Sequence, residues 1–143
     1  MRRGGPGIPA TALVATLLLA ACREAASDEH VIDDPATIEQ VEGSDTPRIT
    51  LTPRAADRLG IETGRVVDDG EGPVVPSAAV MVDPEGAFWV YTSPEPLVFL
   101  RQEVTVEHQD AGVTYLSNGP PAGTEVVTVG VPELYGAETG IGH

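Results

Sequence analysis

The sequence predicts a mainly β domain: a small β-barrel or β-roll of about seven or eight short strands with one or two short helical turns. Three observations carry that expectation. Clusters of Gly, Pro, Asp and Asn punctuate residues 48–143 at short intervals. The segments between them are short and rich in Val, Thr, Tyr and Phe, which suit a pleated, half-buried surface. The longest segment, 97–108, alternates apolar and polar residues with the period of a strand. Ahead of this body the sequence predicts a signal peptide over 1–21 and a disordered acidic tether over 22–47.

Residues 48–51 alternate and predict a short strand. Thr52 is placed to cap a helical turn, with Pro53 at its first position, where a missing N–H costs nothing. Ala55, Ala56 and Leu59 can then face a core, and Gly60 stops the turn. Residues 61–67 predict a strand that ends in the turn Asp68-Asp69-Gly70-Glu71-Gly72. Residues 73–75 and 79–82 predict strands, and Asp83-Pro84-Glu85-Gly86 predicts a tight turn into the next one. Phe88-Trp89-Val90-Tyr91 is the most β-prone run. Aromatics on both of its faces imply burial on both sides, or one aromatic face at a contact surface. In 97–108, Val98, Leu100, Val104 and Val106 predict a buried face, and Arg101, Glu103, Thr105 and Glu107 a solvated one. Asp110-Ala111-Gly112 turns the chain into a strand over 113–116, and a Gly/Pro-rich loop over 117–123 follows. Residues 124–129 predict a last strand and 132–135 a terminal helical turn.

The N-terminus carries the most specific signal. Arg2 and Arg3 give a positive start, and residues 10–19 form an uncharged run of Ala, Leu and similar residues. That run is shorter than the ~20 residues a spanning helix needs. It ends in Leu19-Ala20-Ala21-Cys22, the lipobox pattern of a bulky aliphatic, two small residues and a cysteine. Small residues fit a signal peptidase beside the cut, and the thiol accepts a diacylglyceryl group. Cys22 is the only cysteine of the chain, so it has no internal disulfide partner. Two acyl chains hold a protein at a membrane far more firmly than one, since each buried CH₂ contributes ~0.8 kcal/mol. Lipidation at Cys22 therefore predicts anchoring at the extracytoplasmic side of a cell membrane, periplasmic or outer face.

The chain has no lysine, and its formal charge of −14 becomes about −16 once Arg2 and Arg3 are removed with the leader. Such a balance excludes a nucleic-acid partner, because phosphate contacts need clustered Arg and Lys. It also disfavours lying flat on an anionic lipid surface. Residues 23–47 carry eight acids, Glu24, Asp28, Glu29, Asp33, Asp34, Glu39, Glu42 and Asp45, against Arg23 alone. A flexible segment of that length reaches roughly 25–30 Å, and self-repulsion extends it. Residues 48–143 suffice for one small domain.

Motifs for catalysis are absent from the sequence. No Gly-x-Ser-x-Gly elbow occurs, and His30, His108 and His143 are scattered without metal-ligand spacing. The carboxylates of 68–72 lack the full EF-hand pattern, and no Gly-rich loop joins a strand to a helix. The sequence therefore predicts a non-enzymatic protein without cofactor or metal.

Residues 48–140 carry a resemblance. Leu51-Thr52-Pro53, Leu59-Gly60-Ile61, Val75-Pro76 leading into Ala79-Val80, Asp83-Pro84-Glu85-Gly86, Trp89-Val90-Tyr91 and Pro94-Glu95-Pro96 occur in order. Val104-Thr105-Val106, Leu116-Ser117-Asn118-Gly119, Pro121-Ala122-Gly123, Val126-Val127-Thr128-Val129-Gly130 and Glu133-Leu134-Tyr135-Gly136 continue it. The series resembles the C-terminal, membrane-proximal domain of periplasmic adaptor subunits (membrane fusion proteins) of RND-type efflux systems. Adaptors insert a lipoyl-like domain and usually a helical hairpin, whereas here Val67 reaches Pro73 across five residues. The resemblance thus implies an accessory module that docks on a membrane transporter or its partner. Phe88, Trp89, Tyr91, Phe99 and Arg101 are the expected contact residues, being aromatic or Arg in and beside the most β-prone run. The alternative is a free-standing surface lipoprotein that binds a small ligand or cation.

Overall fold

The computed structural model describes residues 34–140 and, ahead of them, Gly7. Cys22 and the leader lie outside the described residues. Ten strands and two helices follow one another: β1 Ala36–Glu39, β2 Arg48–Leu51, α1 Pro53–Leu59, β3 Glu62–Arg65, β4 Val67–Asp68, β5 Pro73–Pro76, β6 Met81–Val82, β7 Phe88–Glu95, β8 Val98–Asp110, β9 Val113–Asn118, β10 Glu125–Val129 and α2 Val131–Thr139. Seven of the strands form a nearly closed barrel-shaped sheet, in the order β3-β10-β7-β8-β9-β5-β4. The mainly β barrel expected from the sequence is the fold observed.

Chain continuity almost closes that barrel. Its two outermost strands, β3 and β4, are neighbours in sequence, separated by Val66 alone. β3 pairs with β10 and β4 pairs with β5, both antiparallel. At the switch between them, Val66 N–H donates to the Thr124 carbonyl at 2.9 Å and the Val66 carbonyl accepts from Gly123 at 2.8 Å. Its side chain turns into the barrel, 1% exposed. One segment therefore serves both edges, which leaves little unpaired edge on the barrel itself.

β8 is long because it serves two sheets. Its first half pairs with β7 and, on the other side, with β2. Register shifts between Thr105 and His108 then bend it, and its second half pairs with β9. The β1–β2 hairpin extends the sheet beyond β8 and leaves β1 as the outer strand. β1 belongs to the stretch expected as tether: residues 36–39 are ordered in the sheet, and Thr46 is buried with its hydroxyl donating to the Arg101 carbonyl at 3.0 Å.

Two cores result, one on each face of the wall. Val66, Val75, Ala79, Val90, Val104, Leu116 and Val126 fill the barrel interior. Ile49, Leu51, Ala55, Tyr91, Phe99, Val127, Val131 and Leu134 form a second core between the wall and the two helices. Neighbouring residues split between them: Val90 inward and Tyr91 outward on β7, Val126 inward and Val127 outward on β10. β7 and β10 are thus buried on both faces along their central residues, and each large side chain so buried contributes ~1.5–3 kcal/mol.

The helices are set by their ends. Thr52 Oγ1 accepts from Ala55 N–H at 3.2 Å, Pro53 takes the first position, and Gly60 adopts φ 65° at the stop. α2 starts from Gly130, whose φ of 91° suits glycine; a Cβ there would also press on Ile61 Cδ1 and force that side chain to shift. No helix among the described residues is long and apolar enough to cross a membrane.

Candidate functional site

The turn before β7 organises one side of the site. Asp83 Oδ1 accepts the Glu85 and Ala87 amides at 3.0 and 2.9 Å, closing the turn anticipated from Asp83-Pro84-Glu85-Gly86. Its Oδ2 accepts the Trp89 indole N–H at 2.7 Å. Partial burial pushes the Asp83 carboxyl up, but the bonds from Ala87, Trp89, Glu85 and Gly86 outweigh it and hold it below the usual carboxylate value. Trp89 is thereby fixed with one ring face toward β8.

Arg101 of β8 lies over that face. Its guanidinium carbon sits 4.2 Å from the Trp89 ring centroid and 5.6 Å from that of Tyr135 in α2. Nη2 of Arg101 meets Glu138 Oε1 at 3.0 Å, with 15% and 5% of the two side chains exposed. The second oxygen of Glu138 accepts the Tyr91 hydroxyl at 2.6 Å. Burial, then the hydrogen bond and charge of Glu138, push the Tyr91 hydroxyl far above its usual value. The Arg101 Nε–H is buried without a partner, so the pair is strong but incompletely satisfied.

Four of the five expected contact residues converge on one face of the wall, but α2 occupies that face. Tyr91 is fully buried and Phe99 is 2% exposed in the helix-side core, so neither offers a surface to another molecule. Trp89 is half-buried beneath Arg101. Phe88 points the other way and packs against the barrel interior. Tyr91, Phe99 and Arg101 thus pack against the chain's own C-terminal helix, with Trp89 stacked on Arg101. Cys22 lies outside the described residues.

Glu138 carries no signature in the sequence. The expected terminal turn ended at Tyr135, and a lone carboxylate one turn further along carries no motif. Only the helix reaching Thr139 brings it onto Tyr91 and Arg101. This cluster holds a helix in place: Glu138 of α2 accepts from the Tyr91 hydroxyl and pairs with Arg101, both on the wall.

Three grooves border the helices and turns. One of about 460 Å³ runs between α1, α2 and β1, lined mostly by apolar groups such as Ala36, Leu51, Leu59, Pro132 and Ala137. Another, about 440 Å³, opens beside Met81, Val82, Pro84 and Tyr135, next to the exposed Val82. A third, about 630 Å³ and of mixed polarity, lies at the β7–β8 turn among Arg65, Ser93, Glu95, Leu97 and Phe99. Leu97 is held there at φ 65°, a conformation costly for a branched residue. Between β8 and β9, His108 stacks on Tyr115 with ring centroids 4.2 Å apart. Among the described residues no three His, Cys, Asp or Glu side chains gather as a metal site. No family model, curated protein or solved structure matches this chain.

Proposed function

We propose that this protein is a lipid-anchored, non-enzymatic docking module. Its acidic lead segment holds the β domain at the extracytoplasmic face of a membrane, where it engages a membrane transporter or that transporter's partner. The observation that carries the reading is Leu19-Ala20-Ala21-Cys22, with the only cysteine of the chain at the acceptor position, after an apolar run too short to span. The ordered resemblance of 48–140 to adaptor membrane-proximal domains supports the choice of a transporter as partner. The negative surface supports a domain that stands off anionic lipid and relies on the acyl chains for attachment.

Affinity purification of the tagged protein in mild detergent tests this. A transporter subunit is expected to co-purify with the wild type, and Cys22→Ser is expected to lose it while remaining folded and released from the membrane. Absence of any membrane protein from the wild-type eluate contradicts the docking role. A second reading, a surface lipoprotein that binds a small ligand or cation, draws on the groove beside Leu97, where Arg65 and Glu95 border apolar walls. Calorimetric titration with small anions and divalent cations separates it, since only that reading predicts heat.

A further inference from the structure

β1 is the outer strand of the β1–β2 extension and pairs with β2 alone among the described residues. The ladder phase fixes which of its groups face outward. In an antiparallel pair, bonded and non-bonded residue pairs alternate. Thr52 N–H donates to the Pro35 carbonyl at 3.0 Å, which puts Thr37/Thr50 and Glu39/Arg48 in the bonded phase. The N–H and C=O groups of Ala36 and Ile38 therefore point away from β2, toward solvent. This is an unpaired strand edge of the kind that accepts another strand.

Two further observations define what fits it. Ala36 and Ile38 lie opposite Leu51 and Ile49, so their side of the hairpin is the helix side. The apolar groove of about 460 Å³ opens there, with Ala36 in its wall and Leu51, Ala55, Leu59, Pro132 and Ala137 around it. A strand laid along β1 sends every second side chain toward that groove. The surroundings are anionic on balance: Asp34, Glu39, Glu42 and Asp45 are exposed and Glu133 stands in the groove wall, against Arg58 in the same wall and Arg48, which is paired with Glu95 at 2.9 Å. A second copy would bring the same acids against these, so charge selects a different, basic partner.

We propose that the open edge of β1 is a strand-addition site for an extended, cationic segment of another protein, which seats an apolar side chain in the adjoining groove. This names a surface for the docking reading above and rests on it only for the presence of a protein partner; the test needs no membrane. The probe is acetyl-Arg-Val-Arg-Leu-Arg-Val-Arg-amide, titrated into the isotope-labelled full chain in detergent and followed by NMR. The amides of Ala36 and Ile38 are expected to shift, and their hydrogen exchange to slow on binding. Ile38→Pro removes an outward N–H and none of the β1–β2 ladder, as edge proline can. It is expected to weaken the peptide by about tenfold or more. The same peptide with Glu for Arg is expected not to bind.

Three results would overturn the proposal. Protection of the Ala36 and Ile38 amides in the free chain would mean the edge is already covered, by the chain itself or a second copy. Shifts confined to another face would place the peptide elsewhere. Equal binding of the Glu peptide would remove the charge argument. The free-chain exchange measurement uses no variant, so it stands even if Ile38→Pro disturbs folding.

Discussion

Replacing Glu138 by Ala removes the anionic partner of a guanidinium that has little access to water. The two groups meet at 3.0 Å, with 15% of the Arg101 side chain and 5% of the Glu138 side chain exposed. At an effective dielectric of about 20, charges that close attract by about 5 kcal/mol, most of which offsets their desolvation. Removing Glu138 alone leaves that desolvation cost uncompensated on Arg101 and strips the Tyr91 hydroxyl of its acceptor. The expected loss is about 3–5 kcal/mol of stability. For a domain of this size that lowers Tm by at least about 12 °C. Urea unfolding followed by circular dichroism, on Glu138→Ala, Arg101→Met and the double variant, reads it out. The double variant is expected to be less destabilised than the two singles together, by about 2 kcal/mol. A Glu138→Ala cost below about 1 kcal/mol, with additive singles, would refute the reasoning and reduce the pair to a screened surface contact.

Three more outcomes follow from the same geometry. Asp83 is held below its ordinary value, so the folded state releases its proton more readily than the unfolded chain. Stability is therefore full above about pH 4 and falls as pH drops through the folded value. Asp83→Asn is expected to flatten that acid limb in urea titrations between about pH 6 and 2.5; an unchanged slope would show that other carboxylates set it. Tyr91 is raised, so its contribution is intact below about pH 10 and lost above it as the unfolded phenol ionises. Tyr91→Phe is expected to blunt alkaline unfolding, at the cost of the bond to Glu138 under neutral conditions. Gly130→Ala places a Cβ against the Ile61 side chain at φ 91°, and is expected to cost about 1–3 kcal/mol, chiefly through the left-handed backbone. A thermal midpoint equal to wild type would contradict that packing.

How much of this was legible varies along the chain with the range of the forces involved. Local chemistry read well: Thr52, Pro53 and Gly60 bound α1 as expected, and Asp83 closes its turn through its own side chain. These signals are complete within a few residues. The faces of β8 read less well. Val104 is buried and Glu103 exposed as expected, but Arg101, expected on the solvated face, lies under α2 with 15% of its side chain exposed. Alternation assumes a single covered face, and helix packing on the second is a long-range event. β1 was hidden by composition: Thr37, Ile38 and Glu39 are exposed and sit among acids, so only pairing with β2 reveals them as a strand. The contact residues show the same limit. Trp89, Tyr91, Phe99 and Arg101 share a region rich in anchor-type side chains, and they do converge. Their partner is α2, whose decisive Glu138 had no signature in the sequence.

The membrane attachment is the claim from which the rest of the functional account hangs. Intact mass spectrometry of the protein extracted from membranes tests it most directly. The expected chain begins at Cys22 and carries the added mass of a diacylglyceryl group on that residue, with nothing left of residues 1–21. A membrane-extracted chain that begins elsewhere, or that retains an unmodified Cys22 thiol, would contradict it.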